Sequence, residues 1–127
     1  MQKSYSGIVV KGLGNGKKIG FPTLNIKLID NELSIEVGVY VVTINIQNVI
    51  YKGMLYVGSR PTLNLKEKSI EIHVLNFEEN IYNEQISFQI WQKIRDEVRF
   101  ENIERLMEQL HHDKEMVYNF FQNNMTV

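Results

Sequence analysis

The sequence predicts a mainly β fold, an antiparallel barrel that is closed or nearly closed and is followed by an α-helix. Up to about residue 95, apolar and polar residues alternate in six short runs separated by turn signals. After Phe100 the apolar spacing changes to that of an amphipathic helix. With 127 residues the chain can bury a core of its own. We therefore expect one domain over residues 1–127, with the barrel at about 5–95 and the helix at about 102–122.

The six predicted strands are rich in β-branched residues or alternate clearly between two faces. Gln47 and Asn48 separate the third run from the fourth and predict a hairpin turn. In the fifth run, Ile70 and Ile72 share one face, and Glu71 lies on the other. The runs cover residues 5–10, 24–28, 39–46, 49–57, 70–77 and 86–94.

The predicted helix carries apolar residues at the spacing i, i+3, i+4 and i+7, starting at Ile103. Asn102 is suited to cap its N-terminus, and Glu104 falls in the first turn, where a negative charge is favourable. We expect this helix to pack on the barrel and cover an edge. His111 and His112 are adjacent in it and point about 100° apart, so we interpret them as helix surface rather than as a metal site.

Composition excludes several classes of function. The net charge of −1 gives no support to non-specific binding of nucleic acid or of an anionic membrane. The chain has no cysteine, which rules out disulfides, thiolate metal sites and a cysteine nucleophile. It contains no apolar run of membrane-spanning length and no apolar N-terminal signal region. A cytoplasmic protein is the expectation.

Residues 12–25 form the most informative segment, with the sequence GLGNGKKIGFPTLN. Four of the eight glycines lie in it. Glycine lets backbone N–H groups approach a ligand closely, and the two lysines Lys17 and Lys18 favour an anion such as a phosphate. The segment lacks the ending of a Walker A loop and the strand–helix setting of a dinucleotide-binding motif. A surface loop whose lysines are simply solvated therefore remains an alternative at this point.

The end of the same segment has different chemistry. Pro22 disfavours the α conformation at Phe21, so the chain is expected to continue as an extended strand. Thr23 and Asn25 then face the same way, because side chains alternate along an extended chain. Two neutral oxygen ligands suit a hard divalent cation whose other ligands are phosphate oxygens and water. These two residues are the candidate metal ligands.

The motifs, in their order, resemble those of riboflavin kinases. The resemblance rests on GIVVKG at residues 7–12 and on IGFPTLN at residues 19–25, where the family carries Pro-Thr-Ala-Asn and this chain has Leu24 in place of the alanine. It continues through GVY at 38–40, VGSRPT at 57–62, EIH at 71–73, Tyr82, and IRDE at 94–97 followed by Phe100. It covers nearly the whole chain, from Tyr5 to the C-terminal helix.

The resemblance implies a six-stranded antiparallel barrel of Greek-key topology that transfers the γ-phosphate of ATP to the 5′-hydroxyl of riboflavin, with Mg²⁺ as the metal. The products would be FMN and ADP. By this resemblance, Glu71 of this chain corresponds to the catalytic carboxylate of the family, and Thr23 and Asn25 correspond to its metal-site residues. The implied flavin-binding residues are Arg95, Glu97 and Phe100. The implied ATP-binding residues are Gly12, Gly14, Gly16, Lys18, Gly20, Phe21, Pro22 and Tyr82.

Independent chemistry supports a role for Glu71. A primary alcohol is a poor nucleophile, and a carboxylate within hydrogen-bond reach can orient it and accept its proton. Taken without the resemblance, a glutamate on a strand is a solvated surface residue. Arg95 and Glu97 likewise have a second interpretation, in which they brace their loop or are simply solvated. His73 is either a structural histidine or a support for Glu71 or the nucleotide.

Two positions depart from the family pattern. Asn83 stands where glycine is usual, although asparagine tolerates positive φ better than most residues. Tyr56 stands where asparagine is common. We expect both departures to change affinity rather than the class of reaction.

Three alternatives concern the scope of the activity. In many bacteria the resembling module is joined to an FMN adenylyltransferase, making a bifunctional FAD synthetase; such a domain is a possible missing part of the natural chain. The sequence HxGH of that partner is not found here, so no FAD formation is expected from this chain alone. A non-catalytic flavin-binding barrel, acting as carrier or sensor, would leave Thr23, Asn25 and Glu71 without a role. An oligonucleotide-binding barrel would require a basic, aromatic sheet face.

Overall fold

Six antiparallel strands close into a barrel in the computed structural model of this chain, which describes residues 4–12, 20–29, 35–61 and 66–124. They are β1 (Ser4–Val10), β2 (Leu24–Leu28), β3 (Gly38–Ile46), β4 (Val49–Pro61), β5 (Lys66–Val74) and β6 (Gln85–Arg95). Around the barrel they follow the order β1-β2-β5-β4-β3-β6. Strands β6, β3, β4 and β5 thus lie in the spatial order that defines a Greek key. The predicted fold class is confirmed.

The barrel interior holds the larger hydrophobic core, to which every strand contributes residues from one face. The alternation predicted for the fifth strand is confirmed, because Ile70, Ile72 and Val74 point into this core. The opposite face of the same strand carries Glu71 and His73 away from it. Fully buried members of the interior core include Val9, Val42, Ile44, Leu55, Ile72 and Phe88.

A C-terminal helix, α1 (Ile103–Asn124), packs on the outside of the barrel. Asn102 caps it as predicted, since its side-chain oxygen accepts a hydrogen bond of 2.9 Å from the backbone N–H of Arg105. Leu110 and Val117 form a second core with barrel residues. The barrel side of this core consists of Phe21, Val41, Met54 and Leu75.

The turn between β3 and β4 forms where it was predicted. Gln47 and Asn48 both have positive φ, 52° and 68°, as the tightest hairpin turns require. The side chain of Asn45 accepts a hydrogen bond of 3.0 Å from the backbone N–H of Asn48. This hairpin fixes the register of β3 against β4, which pair over nine residues of each strand.

The fifth strand differs from its prediction at both ends. It begins at Lys66, where pairing with β4 extends it through a polar stretch that carries no apolar signal. It ends at Val74 rather than at residue 77, because Asn76 turns the chain with φ of 60°. Within the described residues, no helix is long and apolar enough to cross a membrane.

Candidate active site

Two neighbouring cavities open on the barrel surface. The larger has a volume of about 520 Å³ and is lined by Gly12, Gly20, Pro22, Thr23, Asn25 and Tyr82, among others. The smaller has a volume of about 230 Å³ and is lined by Tyr56, Glu71, Arg95, Glu97, Phe100 and Leu106, among others. Of the described residues predicted for the nucleotide and the metal, all except Phe21 thus line the larger cavity. Those predicted for the base and the flavin fall on the smaller.

A hydrogen bond joins the two cavities. Oγ1 of Thr23, on the larger cavity, donates to Oε1 of Glu71, on the smaller, at 2.9 Å. The two residues are 48 positions apart and half-buried. Because strands β2 and β5 pair with Asn25 opposite Glu71, the Asn25 side chain lies on the same face of the sheet as Glu71. The arrangement puts a carboxylate beside two neutral oxygen donors.

His73 holds the segment that precedes Thr23 through a hydrogen bond to its backbone. Its Nδ1 lies 2.7 Å from the backbone oxygen of Pro22. A carbonyl oxygen can only accept, so Nδ1 carries the proton and donates. Burial lowers the pKa of His73, the bond to Pro22 opposes this shift, and the nearby positive charge of Lys114 adds to it. The imidazole is therefore a neutral donor that fixes the residue preceding Thr23.

Phe21 anchors the same segment through packing. Its side chain is 5% exposed and belongs to the core under the helix. Its ring lies between two imidazoles, with ring centroids 5.1 Å from His73 and 5.0 Å from His111. The side chain of Phe21 is thus occupied by packing, and any contact it makes with a nucleotide comes from its backbone. His111 lies on the helix surface, as predicted, but also contacts this ring.

Gly12 is needed for the position of Asn25. A Cβ on Gly12 would overlap the side-chain amide of Asn25. Backbone and amide therefore lie in direct contact, which only glycine permits. The glycine-rich segment and the metal-ligand prediction are coupled through this contact. Gly14, Gly16 and Lys18, also predicted for the nucleotide, lie outside the described residues.

Tyr82 lies at the rim of the larger cavity and is 49% exposed. The turn that presents it depends on Asn83, whose φ of 69° is in the left-handed region. The backbone N–H of Asn83 donates to the carbonyl of Val9 at 2.7 Å, which ties the turn to β1. Asparagine thus takes the backbone conformation for which glycine is usual, as expected from its tolerance of positive φ.

Arg95 has partners that the sequence analysis did not identify. Its Nε donates to Oδ1 of Asp113 at 2.9 Å and its Nη2 donates to Oδ2 at 2.8 Å. Asp113 is fully buried in the middle of α1. The signal was present in the sequence: Asp113 follows Leu106 and Leu110 at helical spacing and precedes Val117, so it lies on the apolar face. A charged residue in such a stripe requires a buried partner.

Glu97 covers one wall of the smaller cavity. The hydroxyl of Ser59 donates to its Oε1 at 3.3 Å, and its other oxygen would lie 2.9 Å from a Cβ on Gly58. Tyr56 lies deeper in the same cavity, and its hydroxyl donates to the sulfur of Met54. Burial raises the pKa of Tyr56, and the negative charge of Asp113 adds to the shift. Tyr56 is therefore a neutral hydrogen-bonding group.

The donor set of the two cavities fits a cation that brings most of its own ligands. Among the described residues, no three His, Cys, Asp or Glu side chains cluster closely enough to hold a metal ion by themselves. The hydroxyl of Thr23 commits its proton to Glu71, which leaves its lone pairs available. Hard oxygen donors of this kind are the ligands that Mg²⁺ uses together with phosphate oxygens and water.

Comparisons with known proteins identify the family that this chain is similar to. The sequence model of the Flavokinase (riboflavin kinase) family matches residues 2–121. A bifunctional riboflavin kinase/FMN adenylyltransferase from Bacillus subtilis is 33% identical over 120 residues, which are 92% of this chain and 38% of that protein. The chain spans only 18–38% of the length of three curated relatives, two of them bifunctional and one, from Mycoplasmoides gallisepticum, described as trifunctional.

Two solved structures share the fold. A Streptococcus pneumoniae crystal structure described as a macrolide-efflux protein matches with a TM-score of 0.87 and 34% identity, over 91% of this chain and 38% of that one. A riboflavin kinase from Trypanosoma brucei matches with a TM-score of 0.67 and 19% identity, over 95% of this chain and 80% of that one. At that lower identity the second match supports the fold alone.

Proposed function

This chain belongs to the riboflavin kinase family, and from that premise we propose that it transfers the γ-phosphoryl group of ATP to the 5′-hydroxyl of riboflavin. The products are FMN and ADP. The observation that carries the proposal is the hydrogen bond between Thr23 and Glu71. It places a carboxylate at the junction of two cavities, where a hydroxyl from one ligand can meet a phosphate from the other.

Glu71 is the proposed catalytic base. One of its oxygens accepts the hydrogen bond from Thr23, and the other is available to the riboflavin hydroxyl. An oriented carboxylate positions the alcohol oxygen and takes its proton as the bond to phosphorus forms. In phosphoryl transfer, positioning and charge stabilisation contribute most of the catalysis, so Glu71 has to hold the alcohol oxygen in place as well as accept its proton.

Thr23 and Asn25 are the proposed protein ligands of Mg²⁺. The bound ion would supply positive charge that neutralises the phosphate oxygens. The protein's part is to hold the two oxygen donors. His73 fixes Pro22, the residue before Thr23, and Gly12 leaves room for the side chain of Asn25.

The larger cavity is the proposed site of ATP. Its walls combine backbone at Gly12 and Gly20 with the exposed ring of Tyr82, which can stack on a purine. Gly20 has φ of 81°, and a Cβ there would meet no described atom within 4 Å, so its backbone is open to a ligand. Gly14, Gly16 and Lys18 complete the proposed phosphate contacts, and Phe21 and Pro22 contribute backbone.

The smaller cavity is the proposed site of riboflavin. Phe100 supplies an aromatic face beside Arg95, whose guanidinium lies 5.7 Å from the ring centroid. Arg95 and Glu97 offer a donor and an acceptor for the polar edge of the flavin. Glu71 lines the same cavity, which brings the flavin's hydroxyl chain to the base.

The proposed activity ends at FMN. The family model that matches residues 2–121 is that of the kinase, whereas the B. subtilis relative carries the names of two activities on a longer chain. An adenylyltransferase domain is therefore the proposed partner of this domain, either elsewhere in the same natural chain or on another protein. We propose the cytoplasm as the location of this reaction.

Chromatography of flavins tests the proposal directly. The purified chain is incubated with riboflavin, ATP and Mg²⁺, with parallel reactions that omit ATP or contain EDTA. The expected result is FMN and ADP in equal amounts, only in the complete reaction, and no FAD. Binding of riboflavin without any ATP-dependent product would instead indicate a non-catalytic flavin-binding barrel, and FAD formation would contradict the proposed limit of the activity.

A further inference from the structure

The most buried ion pair in the described residues joins the C-terminal helix to the smaller cavity. Asp113 has a side-chain exposure of 0% and Arg95 one of 17%. Two nearly parallel hydrogen bonds, 2.9 and 2.8 Å long, connect them, which is the bidentate geometry that gives such pairs both energy and direction. Gln109 donates a third hydrogen bond of 2.9 Å to Oδ1 of Asp113. The carboxylate is thus fixed from two sides.

The backbone at the end of β6 turns Arg95 toward the helix. Strand β6 pairs with β3 through Val39 opposite Arg95 and Tyr40 opposite Lys93, so one extra residue is present in β6 between these pairs. A bulge of this kind re-aims the side chains around it. It lies beside the smaller cavity, which Arg95 lines.

The guanidinium retains donors for a ligand. Of its five N–H bonds, two go to Asp113 and one, from Nη1, goes to the carbonyl of Asp96 at 3.2 Å. Within the described residues, that leaves two N–H bonds of Arg95, and the guanidinium also lies 5.7 Å from the ring centroid of Phe100. One group therefore contacts the helix, the chain after β6 and an aromatic wall of the cavity.

We propose that Asp113 is a positioning residue for the flavin site: it holds Arg95 in the one orientation that keeps its remaining donors and the Phe100 face directed at the isoalloxazine ring. The described strands close into a barrel, so the helix covers no strand edge, contrary to the expectation from the sequence, and this role gives it more than packing on the outer face of the barrel. The inference rests on the proposed function, because it assigns riboflavin to the smaller cavity. It places no atom of Asp113 on the substrate, since that side chain is fully buried.

The test uses the variant Asp113→Asn in the full chain, with Glu108→Gln as a control that makes the same acid-to-amide change at an exposed position of the same helix. Steady-state kinetics are measured below the onset of unfolding, which thermal denaturation of each variant establishes. We expect the KM for riboflavin to rise about ten- to a hundredfold in Asp113→Asn, because a misplaced binding group loses that much. The KM for ATP should change little, and the control should match the parent.

Two further measurements separate positioning from general destabilisation. Fluorescence quenching of riboflavin by the protein without ATP should weaken by the same factor. In an Arg95→Gln background, Asp113→Asn should produce no additional loss of riboflavin affinity, because it acts only through Arg95. If Asp113→Asn does not fold, Gln109→Leu loosens the same carboxylate from the other side and should give a smaller rise of the same KM.

Three results overturn the inference: an unchanged KM for riboflavin in a folded Asp113 variant, equal rises in both KM values, or additive losses in the double variant. Failure of the proposed function is a separate outcome. In that case the parent chain itself makes no FMN, whereas failure of the inference leaves the parent active.

Discussion

The hydroxyl of Thr23 donates a hydrogen bond to the carboxylate of Glu71 across 48 residues of sequence, at 2.9 Å. The Thr23 hydroxyl can therefore serve two partners at once, because its proton is donated to the carboxylate while its lone pairs remain available to a cation. The proposed metal ligand and the proposed base therefore do not act as separate sites. We expect a substitution of either Thr23 or Glu71 to affect the function of the other residue.

Glu71→Gln should lower the rate of FMN formation by about 10²–10⁴, because the amide keeps the size of the side chain but cannot accept the hydroxyl proton. Binding of riboflavin and of ATP, measured by fluorescence and calorimetry, should stay close to that of the parent. Glu115→Gln, at an exposed position of the helix, is the matched control and should be fully active. Turnover near the parental rate in Glu71→Gln would remove this residue from the mechanism.

Mg²⁺ should increase the affinity for ATP at least about tenfold less in Thr23→Val than in the parent. Valine has the shape of threonine but lacks its oxygen. Thr23→Ser keeps the hydroxyl and should keep most of the affinity. The measurement is calorimetric titration of each variant with ATP at a series of Mg²⁺ concentrations, which does not depend on turnover. Equal Mg²⁺ dependence in the valine and serine variants would show that the hydroxyl holds no metal.

Gly12→Ala tests the contact between the glycine-rich segment and Asn25. The added methyl group overlaps the Asn25 amide, which has to shift to make room for it. We expect the KM for Mg-ATP to rise about tenfold or more while the KM for riboflavin changes little. Thermal unfolding should stay near that of the parent, since the displaced group is the end of a side chain.

The adjacent position supplies the control for that experiment. Lys11 is exposed, and Lys11→Ala removes its side chain without placing an atom near Asn25. Its kinetics should match the parent. An equal loss in both variants would mean that the segment tolerates no change for reasons unrelated to Asn25.

The sequence allowed the strand faces to be predicted, but not the way in which they meet. Alternation assigned Glu71 and Ile72 to opposite faces because the period of a strand is two. The register that sets Asn25 opposite Glu71 is a tertiary result, fixed by packing of the closed barrel, and no local pattern encodes it. Family resemblance had to supply the convergence that spacing alone left open.

The ion pair between Asp113 and Arg95 could not be predicted from the sequence, for a different reason. The position of Asp113 on the apolar face of the helix was readable from spacing, but its partner Arg95 lies in another element and is turned toward it by a bulge. A bulge adds one residue to a strand without changing the composition of that strand. The pairing of a buried carboxylate with a residue predicted for the flavin therefore required the structure.

His73 predicts a pH dependence of stability. Burial lowers its pKa in the folded state from the ordinary value of 6.5, so the unfolded chain binds the proton more tightly. The free energy of unfolding should therefore fall as the pH drops below about 6.5, and keep falling until the pH passes the lower folded-state pKa. One proton contributes a slope of at most about 1.4 kcal/mol per pH unit.

Two variants separate this titration from the hydrogen bond to Pro22. His73→Asn keeps an N–H donor near the position of Nδ1 but does not titrate, and His73→Leu removes both. Urea unfolding at pH 5.5, 6.5 and 7.5 should show a shallower pH slope for both variants than for the parent. At pH 7.5 His73→Leu should lose about 0.5–1.5 kcal/mol more than His73→Asn, because it removes the donor to the Pro22 carbonyl. Parallel slopes for all three proteins would show that His73 takes up no extra proton on unfolding.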